Sequence, residues 1–147
     1  MKSKHILPLL VSLLCFSACR DSYYIEHDLH GMWQVTSIEK LDSNQVVEKY
    51  DGQLYYLFQR TMVMLGYQHS DESWIVNRYI AHLDFVAPDS VGMGDFRGAD
   101  GKYEEKISLR NLHKFGIYQD YTTFCVEKRK RSLILTSDNV CIKLRKY

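Results

Sequence analysis

The chain has 147 residues and sets 19 lysines and arginines against 18 aspartates and glutamates, a net charge of +1. Such neutrality argues against nucleic acid, which favours a strongly basic face. Its 11 tyrosines, 6 phenylalanines and 2 tryptophans, with only two prolines, favour strands over helices.

The chain opens on a cationic start, Lys2 and Lys4, followed by an apolar run from Ile6 to Phe16 broken only by Pro8 and Ser12. Small residues Ser17 and Ala18 lead into Cys19. This is the layout of a secretory signal, too short in its apolar part to span a bilayer. The ending resembles a bacterial lipobox, with Phe16 where leucine is usual. The resemblance implies cleavage before Cys19 and lipidation of that cysteine. The expected organisation is a signal peptide at 1–18, a lipidated tether at 19–28 and one domain at 29–147. Cleavage removes Lys2 and Lys4 and moves the net charge from +1 to −1. Each buried acyl CH₂ contributes ~0.8 kcal/mol, so two or more chains hold a protein durably. Arg20 follows Cys19, not the aspartate that marks inner-membrane retention in well-known lipoproteins. The expected location is the outer membrane, on its periplasmic side.

From Gly31 onward alternation and turn chemistry outline eight strands. The first covers Gly31–Lys40, with Trp33, Val35 and Ser37 on one face and Gln34, Thr36 and Ile38 on the other. Leu41 to Gly52 is polar and turn-rich. Gln53–Phe58 and Thr61–Gln68 form a hairpin around Gln59-Arg60, and His69–Asn77 is a loop in which Trp74 and Ile75 must pack somewhere. Arg78–Ala87 carries Tyr79, Ala81, Leu83 and Phe85 on one face. Pro88-Asp89-Ser90 is a turn, and Val91–Arg97 returns as a strand weakened by Gly92 and Gly94. A short helix is expected at Leu109–Phe115, with Ser108 as its cap and Gly116 as its left-handed stop. Tyr121–Lys128, Ser132–Ser137 and Val140–Lys146 complete the set, with Phe124, Val126, Leu133, Leu135, Val140, Ile142 and Leu144 sharing a face.

An even number of strands in meandering order suits an all-β, eight-stranded, up-and-down antiparallel barrel, which leaves no exposed edge. Such a barrel either holds a small ligand or is filled by its own side chains. Leu29-His30-Gly31-Met32-Trp33 resembles the Gly-x-Trp signature of the first lipocalin strand, although Gly31-x-Trp33 equally describes a glycine turn before an aromatic core strand. Leu133 to Tyr147 looks like the last hairpin of lipocalin-like lipoproteins of Gram-negative outer membranes. Asp120-Tyr121 resembles the second lipocalin motif, with Gln119 in place of its threonine. The resemblance implies that Trp33 closes one end of the barrel with Arg145 packed over it, a contact worth ~0.5–2 kcal/mol.

No catalytic constellation stands out. The histidines show neither HxH nor HExxH spacing, and nothing resembles a nucleophile elbow. His82 and Asp84 share a strand face that meets solvent. Asp89, Asp95 and Asp100 lack the spacing of an EF-hand loop and read as hairpin and loop, so neither metal nor cofactor is expected. Lys128-Arg129-Lys130-Arg131 reads first as a solvated hairpin tip; beside a membrane it could touch lipid phosphates. Cys125 and Cys141 flank the strand Ser132–Ser137 on opposite sides. Two strand spacings, ~9.5 Å, exceed the ~7 Å between Cα atoms that a disulfide tolerates, so two free thiols are expected.

The expected lumen set is Trp33, Tyr55, Leu57, Met62, Met64, Tyr79 and Phe85 from the first half, with Phe124, Val126, Leu133 and Leu135 from the second. These side chains either line a cavity for a small apolar or amphipathic molecule or simply fill the barrel. The leading expectation is a monomeric, lipid-anchored, non-catalytic binder. The alternative is an envelope protein-interaction or inhibitor module with a filled barrel. Ligand would enter opposite Trp33, where Leu41–Gly52, Pro88–Ser90 and Asp138-Asn139 would form the rim.

Overall fold

The computed structural model describes residues 29–42, 52–99 and 107–147. The signal, Cys19, the tether, most of the Leu41–Gly52 connection, and Asp100 with Gly101 lie outside the described residues. Eight strands follow in chain order: β1 (Gly31–Lys40), β2 (Gln53–Gln59), β3 (Met62–Gln68), β4 (Val76–Ala87), β5 (Ser90–Gly98), β6 (Tyr121–Arg129), β7 (Ser132–Thr136) and β8 (Val140–Lys146). Each pairs antiparallel with the next, and β8 pairs with β1 to close the barrel. The expected fold class and most strand limits agree with this architecture. Closure satisfies the backbone groups that an open sheet would leave at its edges.

A closed barrel needs one apolar row per strand facing inward. β2 supplies Leu54, Tyr56 and Phe58, β3 supplies Val63, Leu65 and Tyr67, and β4 supplies Ala81 and Leu83, all buried. Val91 and Met93 of β5, Phe124 of β6, Leu133 and Leu135 of β7, and Val140, Ile142 and Leu144 of β8 complete the core. The register slips at four places among the described strands, and two of these slips turn a core residue inward. In β1 the register slips between Val35 and Ser37, where the Thr36 hydroxyl donates to the Lys143 carbonyl at 2.9 Å. Ile38 therefore turns inward and pairs with Ile142, while Ser37 pairs with Lys143 outside. This reverses the expected faces of Ser37 and Ile38, because an inserted residue shifts the pleat by one. In β5 Asp95 adopts φ 53° at a second slip, which puts Phe96 inside (4 % exposed).

The short helix lies where expected, as one α turn, α1 (Leu109–Leu112), continued by a 3₁₀ turn His113–Phe115. Ser108 occupies the cap position, but its side chain makes no cap bond; its carbonyl accepts from Asn111 N–H instead. Trp74, expected to pack, is 63 % exposed. Cys125 and Cys141 are both free thiols and both sit opposite Thr136, one on each side of β7.

Gly116 ends the helical segment at φ 83°. A Cβ there would lie 2.8 Å from Ile142 Cδ1 and 3.3 Å from Ile38 Cγ2. Only glycine accepts both the left-handed backbone and the close approach. Gly116→Ala is therefore expected to lower the unfolding free energy by about 1–3 kcal/mol, read as a lower urea midpoint with an unchanged slope.

Candidate functional site

The barrel has two chemically distinct ends. β1 begins at one, together with the β2–β3, β4–β5 and β6–β7 turns and the end of β8. The other carries the β3–β4 loop, α1 and the β7–β8 turn. Asp138-Asn139 lies at the helix end as expected. Pro88–Ser90 does not: it follows the fourth strand, and an even number of traverses returns the chain to the Trp33 end.

At the Trp33 end the indole is fully buried, and its Nε1–H donates to the Leu29 carbonyl at 2.7 Å. The cation over the ring is Lys146, with Nζ 4.5 Å from the centroid, and not the expected Arg145. The inward phase of Val140, Ile142 and Leu144 continues to Lys146, which leaves Arg145 outside. Lys146 Nζ also donates to the His30 carbonyl. Burial, and then the Lys128 charge, hold its pKa below the usual lysine value. Arg145 instead donates to Gln34 Oε1 at 2.9 and 2.7 Å. The Gln34 amide donates to Gln53 Oε1, which also accepts from the Tyr55 hydroxyl. This polar chain ties β8, β1 and β2 together across the seam on the outer wall.

Seven of the eleven residues of the expected lumen set lie on the inner wall. Trp33, Phe124, Leu133 and Leu135 are fully buried, and Tyr79, Phe85 and Val126 pack against the core. Tyr55, Leu57, Met62 and Met64 face outward. Leu57 pairs with Met32 and Met64, and Met64 with Ile80, so Met32, Leu57, Met64 and Ile80 form an apolar row on the outer wall. Met62 is 44 % exposed. Tyr55 meets Tyr147 edge-to-face at 5.2 Å. β2 and β3 are apolar on both faces, and one strand by itself could not reveal which row turns in. His82 and Asp84 are outside as expected, paired at 2.9 Å.

The helix end is closed by a plug. Leu112, Phe115 and Ile117 are buried, and Phe115 meets Tyr56 and Tyr79 edge-to-face. The Phe115 carbonyl accepts from the Tyr56 hydroxyl, whose pKa burial drives far above the usual phenol value. Phe58, Val63, Leu65, Met93, Phe124, Leu133 and Leu135 have at most 1 % of their surface open and belong to one continuous apolar cluster that fills the lower lumen. At the plug's rim Arg78 Nε donates to the Tyr67 hydroxyl at 2.9 Å, and Lys114 Nζ lies 4.4 Å from the Tyr67 ring centroid. Burial, then Arg78, lowers the Lys114 pKa.

Beside the plug lies a cavity of about 250 Å³ lined by Asp95, Phe96, Ile107, Leu109, Leu112 and Asp120. Its origin is topological. β5 pairs with β6 only from Ser90 to Gly94, and beyond the bulge β5 runs on without β6 beside it. Ile107 N–H donates to the Phe96 carbonyl at 3.4 Å, and α1 covers the gap. Sequence reasoning missed this site. Phe96 turns in only because Asp95 bulges, and nothing in the spacing of Ile107 and Leu109 announces a gap.

The chain belongs to the lipocalin-like domain family, which matches residues 14–147. Its fold is similar to that of a lipocalin-like protein from Bacteroides uniformis (21 % identity, TM-score 0.56, covering 82 % of this chain and 99 % of the other). It is also similar to an uncharacterized protein from Bacteroides eggerthii (19 % identity, TM-score 0.60, 82 % and 100 % covered). No curated protein matches the chain.

Lys146→Ala is expected to change the near-ultraviolet circular dichroism of Trp33 and to cost about 1–2 kcal/mol of stability. Arg145→Ala should leave the Trp33 signal unchanged. The opposite ranking of the two spectra would return the closure to Arg145.

Proposed function

We propose that this lipocalin-like barrel is a non-catalytic binder of a small apolar or amphipathic molecule, held on the outer membrane through Cys19. The site is not the deep lumen but the cavity under α1. One observation carries this reading: an apolar wall of Phe96, Ile107, Leu109 and Leu112 meets two carboxylates, Asp95 and Asp120, around about 250 Å³. Apolar walls with a few polar groups are the usual make-up of small-molecule sites. The volume lies below the ~300–1,000 Å³ of drug-sized pockets, so the ligand is small. Asp95 also holds Arg97 at 2.9 Å, which leaves the rim with both signs of charge for an amphipathic head.

A protein made without Met1–Cys19 should take up a fluorescent apolar probe. Leu109→Trp, which fills the cavity, should abolish uptake, while Met64→Ala on the outer wall should not. Equal uptake by the Leu109→Trp protein would sink the reading.

The second reading, an interaction module, draws on the packed lower lumen and on Trp74 and Leu41, 63 % and 45 % exposed at the helix end. A barrel that takes up no apolar probe, yet loses a partner on Trp74→Ala, would favour it.

Anchorage has its own test. Cys19→Ala should move the protein from the membrane to the soluble fraction, and unchanged fractionation would remove the anchor from the proposal.

A further inference from the structure

The up-and-down order brings one end of the barrel under a charge pattern that the chain as a whole does not have. Arg60 occupies the tight β2–β3 turn, flanked by the Gln59–Met62 pair. Lys128, Arg129, Lys130 and Arg131 occupy the β6–β7 turn, where Arg129 pairs with Ser132. Both turns lie at the Trp33 end. The Arg131 carbonyl accepts from Lys146 N–H at 2.8 Å, and Tyr147 N–H donates to the Met32 carbonyl at 3.1 Å. The basic turn is therefore strapped to the end of β8 and, through it, to the start of β1. Glu127 holds Arg129 at 2.6 Å, and Asp89 is the acid of the neighbouring β4–β5 turn, so basic groups outnumber acids here. The helix end, with Asp42, Asp71, Glu72, Asp95, Asp120 and Asp138 beside Lys40, Arg78, Arg97, Arg110 and Lys114, has no such excess among its described residues.

We propose that the Trp33 end, with the Lys128–Arg131 turn and Arg60, is a foot that docks the barrel on an anionic lipid surface. The proposal rests on the reading of Cys19 as the anchor. Nine residues lie between Cys19 and Leu29, ten steps of chain with a reach of at most ~35 Å when fully extended. The ten residues of β1, at ~3.3 Å each and tilted ~35–45° to the barrel axis, make a wall roughly 25 Å tall. A barrel resting on its helix end would need most of the tether stretched along its side, whereas resting on the Trp33 end needs almost none. The short tether and the basic turns thus select the same end. Val86, 56 % exposed near the end of β4, and Pro88 on the turn that follows can lie against the headgroups. With phosphates below, the foot also points the cavity under α1 away from the membrane.

The test uses residues 20–147, which keep all eight strands, the β1–β8 seam and the Leu29–Trp33 bond. The protein is sedimented with vesicles of phosphatidylcholine alone, or of phosphatidylcholine and phosphatidylglycerol in equal parts. It should bind the mixed vesicles at low salt, be released at high salt, and ignore phosphatidylcholine. Lys128→Gln, Arg129→Gln, Lys130→Gln and Arg131→Gln should each weaken binding about fivefold, and together roughly several hundredfold. Lys40→Gln with Arg110→Gln, at the helix end, should change nothing. No binding to the mixed vesicles, binding unaltered in the fourfold variant, or equal loss in the helix-end variant would each overturn the foot. Because this protein lacks Cys19, such a failure leaves the anchor reading to its own test in cells.

Discussion

Everything in this molecule depends on the seam between β1 and β8. Seven hairpin-like neighbours alone would make an open sheet with two free edges, and the inner rows would face water on one side. Pairing from Trp33 with Lys146 to Lys40 with Val140 removes both edges at once. That register depends on a bulge, because β1 must insert Thr36 to bring both Trp33 and Ile38 to the inner wall. The outer polar chain from Arg145 through Gln34 to Gln53 crosses the seam where the bulge begins. Gln34 is only 8 % exposed, and removing its partners would leave a buried amide unsatisfied, a cost of about 1–3 kcal/mol.

The two ends are closed by different physics. At the Trp33 end a large apolar ring is fixed by its one polar atom, through Leu29, and covered by a cation with its own carbonyl partner, His30. At the helix end a segment of two short turns reaches over the lumen, and its grip is the Tyr56 hydroxyl on the Phe115 carbonyl. Helices this short do not stand alone in water. α1 exists because Leu112, Phe115 and Ile117 are buried against the barrel and because Gly116 lets the chain turn back at once.

How much of this was legible in the sequence follows from the chemistry of each strand. β4 alternates Tyr79, Ala81, Leu83 and Phe85 with Arg78, Ile80, His82 and Asp84, three of the four polar, so its inner face could be read directly. The last three strands behave likewise. β2 reads Leu-Tyr-Tyr-Leu-Phe and β3 reads Met-Val-Met-Leu, apolar at every step, and alternation is silent there. Their phase is decided by neighbours: β1 must bury Trp33, which pairs with Tyr56, and so Tyr56, Phe58, Val63 and Leu65 turn in. The closure residue was one step away from legible. Carrying the phase of Val140, Ile142 and Leu144 forward reaches Lys146, whereas the family resemblance pointed to an arginine and Arg145 was the nearest. The bulges at Thr36 and Asp95 left no signal of their own.

The cavity under α1 is the consequence of one strand outrunning its neighbour. Where β5 continues past Gly94, its inner side chain Phe96 is covered by a helix and not by a strand. The cover is held by side-chain packing and the Ile107–Phe96 bond in place of a full ladder of backbone hydrogen bonds. Segments with few such bonds open at lower free energy than the strands around them. The lower lumen, by contrast, is sealed by eight paired strands and the Trp33 closure. Opening the space under α1 therefore requires displacing only a short helical segment, while any path to the deep lumen requires breaking the barrel wall. That asymmetry, set by the length of β5 against the start of β6, makes the helix end the part of the barrel that opens at the lowest cost.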